Sequence, residues 1–121
     1  MKKLTLVLAL LLFSSPAWGQ KKTIKDFLEA YDKAPLKAQQ GINIKFIDYE
    51  NGMGWANSHL EIVRGEKPLY CPPKKLRLTG EQAFQIFREE VERKVGFAKK
   101  LSVKASGFFL LGGLIRTFPC K

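Results

Sequence analysis

Between residues 42 and 63 the apolar positions Ile42, Phe46, Tyr49, Met53, Ala56, Leu60 and Val63 follow one another at alternating steps of four and three. That spacing lays all of them along one stripe of a helix; a strand would need strict alternation, which is missing over this length. Gly41, Gly52 and Gly54 each weaken a helix by up to about 1 kcal/mol relative to Ala, which allows a bend around 51–54. Gly65 supplies a stop. A stripe of this kind packs inside a bundle or forms a coiled-coil seam between two copies. Bundle packing is the commoner use, and a homodimer remains open.

The flanking segments read the same way. Thr23 with Asp26 three residues on is a capping-box pattern, followed by Ile24, Phe27, Leu28 and Tyr31 at helical spacing, and Pro35 marks the next start. Thr79 with Gln82 repeats the cap. Behind it Ala83, Phe84, Phe87, Val91 and Val95 are assigned to the core, Arg88, Glu89, Glu90, Glu92 and Arg93 to the outside, and Gly96 to the end. A last helix is predicted from near Ala98 or Ser102 to Phe118, stopped by Pro119. Its stretch from Ala105 to Ile115 carries no charge and is too short to span a bilayer, so it reads as the central, all-round buried helix. Ser106, Gly107, Gly112 and Gly113 would let neighbours approach it closely. Between the long stripe and Thr79, Pro68, Pro72 and Pro73 force residues 65–78 into a rigid, non-helical connector. The expected fold is all-α: a compact bundle of about four main helices in a single domain over residues 20–121.

The start of the chain belongs to something else. Met1-Lys2-Lys3, the apolar run Leu4–Phe13, the break at Ser14-Ser15-Pro16 and the small residues Ala17 and Gly19 form the three parts of a secretory signal peptide over residues 1–19. The run is about half of the roughly 20 apolar residues a membrane span needs. Losing Lys2 and Lys3 with the leader takes two charges from the formal +10 and leaves +8. Export also changes the reading of Cys71 and Cys120, since an oxidising compartment preserves paired thiols. A bond between them would close a loop of about 49 residues, worth roughly 4 kcal/mol on chain entropy. Two buried free thiols are the other reading.

Leu69-Tyr70-Cys71-Pro72-Pro73, Leu78-Thr79-Gly80-Glu81-Gln82, the apolar last helix and Thr117-Phe118-Pro119-Cys120 form one ordered pattern over residues 41–120. It resembles the Rap/Tai immunity protein family, small exported helical proteins associated with type VI secretion. The resemblance implies a periplasmic antitoxin that binds a peptidoglycan amidase and blocks its active-site cleft; homodimers occur in that family. Carried over residue by residue, it reaches Cys71 and Cys120 as a disulfide and Thr79 and Gln82 as a cap, all structural. Lys74-Lys75-Leu76-Arg77 and the charge of the whole chain are more basic than the pattern calls for.

The chain offers little for catalysis. Cys71 with His59 is the one nucleophile–base pairing available, and a disulfide would consume the thiol. Glu89 and Glu92 sit one turn apart but beside Arg88 and Arg93, which reads as a mixed-charge outer face. No glycine-rich phosphate loop or zinc-binding cysteine spacing occurs, so no metal or cofactor is expected. The basic clusters would suggest nucleic acid in a cytoplasmic protein; export redirects them to anionic envelope polymers, phospholipid headgroups or an acidic protein patch. Two functions follow. The first is a periplasmic inhibitor of a cell-wall amidase, touching its target through the exposed connector and the turn at 95–102, with Glu66, Lys67, Lys74, Lys75, Arg77, Lys99 and Lys100 as contacts. The second is a basic envelope-surface or stress-binding module without enzymatic activity. A structural subunit of a secretion assembly is a third class, with no feature of its own in the sequence.

Overall fold

The computed structural model describes residues 22–121, so the leader reading of residues 1–19 lies outside the described residues. Thr23 opens the first helix as its spacing predicts. Its hydroxyl accepts the Asp26 N–H at 3.2 Å, the Asp26 carboxylate accepts the Thr23 N–H at 3.2 Å, and α1 runs Ile24–Lys33. Pro35, extended, leads into the long α2, Leu36–Ile62, which stays helical through Gly52 and Gly54. Gly65 ends the turn that follows with φ 63°, a left-handed conformation costly to any side chain, and the Glu66 N–H reaches back to the Leu60 carbonyl at 2.9 Å. The second capping box, Thr79 with Gln82, starts α3, Gly80–Arg93. A single turn α4, Val95–Ala98, a 3-10 turn Val103–Ala105 and α5, Ser106–Thr117, complete the chain. The architecture is all-α, as expected, and no named strand occurs among the described residues.

The C-terminal third differs from the sequence reading in three ways. α3 stops at Arg93 rather than Gly96, and the last helix begins at Ser106 rather than Ala98 or Ser102. The later start of the last helix comes from backbone pairing: the carbonyls of Lys99 and Leu101 accept the N–H groups of Lys25 and Ile24, and the Val103 N–H donates to Lys22. Residues 99–102, so held, lie outside any helix. Val95, assigned to the core, is exposed in the short turn.

The core explains which helix is central. Phe27, Phe46, Phe84 and Phe87 bring α1, α2 and α3 together, the closest pair being Phe46 and Phe87 with ring centroids 4.8 Å apart. Phe109, Leu110 and Leu114 of α5 extend this core, and Tyr70 adds to it from the connector. It is α3 that packs against both α2 and α5, so α3 takes the middle place the sequence reading gave to the terminal helix. α5 is covered on one side only: Phe108 is 66% exposed and Ile115 40%. The α2 stripe is likewise half used. Phe46 is buried and Ile42, Met53 and Leu60 are partly covered, whereas Tyr49, Ala56 and Val63 face outward. The α1–α3 aromatic cluster sits over the first half of α2; further along, Gly107 of α5 lies against Met53 and Asn57 holds the connector.

Candidate binding surface

Residues 65–78 make a long excursion without regular structure, and three attachments hold it down. The first is covalent: Cys71 and Cys120 form a disulfide with Cα atoms 5.0 Å apart, so the expected pairing is present and Cys71 carries no free thiol to act as a nucleophile. The second is the Cys71 N–H donating to the Phe118 carbonyl at 2.8 Å. The third is Asn57, a buried amide on α2. Its Oδ1 accepts the Leu69 and Tyr70 N–H groups, and its Nδ2 donates to the Tyr70 carbonyl at 2.6 Å. One side chain thereby satisfies three backbone groups that would otherwise be unpaired as the connector enters the core.

Tyr70 is the plug that these bonds seat. It is fully buried, and its hydroxyl has no hydrogen-bond partner. Burial first, and then the Glu50 carboxylate, push its pKa from 10.0 up to about 12. Burial also raises the Glu50 carboxyl. Around this plug, α2 and the connector leave a cleft of about 360 Å³ lined by Glu50, Ser58, Glu61, Tyr70, Pro72 and Lys74.

Five of the residues expected to contact a partner lie on this connector. Lys67, Lys74, Lys75 and Arg77 are exposed. Glu66 is exposed too, and pairs with Arg64 at 2.8 Å. Lys99 and Lys100 sit on the other segment, the turn laid against α1, where Lys99 Nζ is 3.2 Å from Glu92 and Lys100 is exposed. The structure thus presents them on two separately anchored segments, one tied to α2 and the chain terminus, the other to α1.

Two charged groups escaped the sequence reading. Glu90, assigned to the outside, is only 3% exposed, and three cations converge on its carboxylate: Lys94 Nζ at 3.1 Å, Arg116 Nε at 3.2 Å and Arg93 Nε at 3.3 Å. The signal is in the sequence, since Glu90 follows Phe87 by three positions and so shares the buried stripe, although its charge points outward. Arg88 lies over the rings of Tyr31 and Phe84, 5.3 Å from each centroid, and pairs with Asp32. That contact ties α1 to α3.

His59 is exposed on α2. Among the described residues no group of three His, Cys, Asp or Glu side chains could hold a metal ion, and no helix is long and apolar enough to cross a membrane. Compared with known proteins, the chain matches no family model, no curated protein and no solved structure.

Proposed function

We propose that the protein is a periplasmic immunity protein of the Rap/Tai type, which binds a peptidoglycan amidase effector and occludes its cleft. The observation that carries this reading is the anchored connector. A non-helical segment rich in Lys and Pro is fixed by a disulfide and by Asn57 while its charged side chains stay exposed. An inhibitor that works by occlusion needs such a part, because a segment already held in its bound shape loses little entropy on docking. The residues behind the family resemblance also have physical roles: Tyr70 plugs the core, Cys71 and Cys120 staple it, and Thr79 and Gln82 cap α3. The disulfide is compatible with an oxidising compartment, where the leader-like residues 1–19 would deliver the chain. In this reading the protein performs no chemistry, and the cationic connector speeds encounter with an acidic rim on the amidase.

The test is co-purification with a papain-like amidase encoded beside this chain, followed by a peptidoglycan-cleavage assay. A stable complex in which cleavage stops is the expected result. Recovery of the amidase alone, still active, would remove the reading.

A further inference from the structure

At the end of α3, Glu90 does more than neutralise a buried charge. A single cation would suffice for one carboxylate, yet Arg93, Lys94 and Arg116 all converge on it, and each stays close to half exposed. Like charges gathered around one point repel, so the arrangement favours an anion arriving from outside. Both arginines are held through Nε. Each guanidinium carries five N–H donors and bonds Glu90 through Nε alone, so donors remain on its terminal nitrogens for an acceptor such as phosphate. Glu89 borders this group and offsets it only in part; its carboxylate accepts from Gln85 at 3.1 Å.

The same face carries exposed apolar side chains. On α5, Gly112 lies against Glu90, with Phe108 one turn before it and Ile115 and Arg116 one turn after. Phe97, also exposed, packs on Phe109 beside them with ring centroids 6.4 Å apart. A protein partner's interface would gather apolar residues at a core depleted of charge. Here the charges stand among the apolar side chains, which is the composition of a surface that rests in the headgroup layer of an anionic membrane.

We propose that the patch of Arg93, Lys94, Arg116, Phe97, Phe108 and Ile115 docks this protein on an anionic phospholipid surface, with lipid phosphates taken by the arginines. The proposal is independent of the amidase reading; it places the molecule at a membrane face.

The test is co-sedimentation of the oxidised protein with vesicles of phosphatidylcholine, with and without phosphatidylglycerol. Binding is expected only with phosphatidylglycerol and should weaken as salt rises. Phe108→Ser, which opens no core, should lower vesicle affinity about tenfold. Lys94→Gln, which leaves Glu90 both arginines, should lower it about fivefold, while Lys37→Gln in the first turn of α2 leaves it within about twofold. Circular dichroism of each variant separates loss of binding from loss of fold. Equal binding to both vesicle types, no binding to either, or equal loss in Lys94→Gln and Lys37→Gln would overturn the proposal.

Discussion

Tyr70 concentrates the cost of seating the connector in one side chain. Its ring fills the core, while its hydroxyl is buried with no partner near a carboxylate, so the proton is held tightly. The pH dependence follows with a definite sign. In the unfolded chain the phenol ionises near 10, in the folded chain near 12. Between those values the folded state binds more protons, so this group's stabilising contribution is complete below pH 10 and is lost as pH rises through 12. An alkaline absorbance titration should therefore show a late tyrosine ionisation step, with the melting temperature falling over the same interval. Tyr70→Phe should abolish the late step. It should change neutral-pH stability by less than about 1 kcal/mol, because the hydroxyl has no hydrogen bond to lose. A Tyr70→Phe titration that keeps its late step would show that the assignment is wrong. Glu90 and Asn57 are the residue-scale counterparts that polarity hides: both are polar and both are buried, visible in sequence only by their place on a buried stripe or facing a loop that has yet to fold.

At the scale of elements, the parts written locally were legible and the parts written by contact were not. Both capping boxes, the Gly65 stop and the irregular connector follow from short-range chemistry and stand where the spacing puts them. The start of the last helix is not legible locally, because residues 99–103 are held by the backbone of residues 22–25, far away in the sequence. The missing charges of α5 suggested full burial, whereas its glycines point to a single close approach. A methyl group on Gly113 would lie 2.7 Å from Ile86 Cγ2 and 2.9 Å from the Ile86 carbonyl oxygen, so α3 and α5 meet there backbone to backbone. Gly113→Ala should therefore destabilise the protein by about 2 kcal/mol despite its better helix propensity, as read by urea denaturation. A neutral or stabilising result would mean that the two helices are further apart than described.

For the molecule as a whole, the arrangement separates support from display. α3 gathers α2 on one side and α5 on the other, and the disulfide ties the connector to the residues just after α5, so the irregular segment is bound at both its helical neighbours. Of the seven stripe positions only Phe46 is fully buried, with Ile42, Met53 and Leu60 partly covered. Function was the least legible level. Cysteine pairing, capping and charge are carried by single residues, but a binding surface depends on which exposed groups share a face, and here the expected contacts divide between two segments. The central claim is that the connector is a fixed display rather than a loose loop. Amide hydrogen exchange at Leu69, Tyr70 and Cys71 in the oxidised protein tests it most directly, since their N–H groups bond to Asn57 and to Phe118. Protection comparable to that of the α3 core amides is the predicted result; exchange at the rate of an unstructured chain would contradict it.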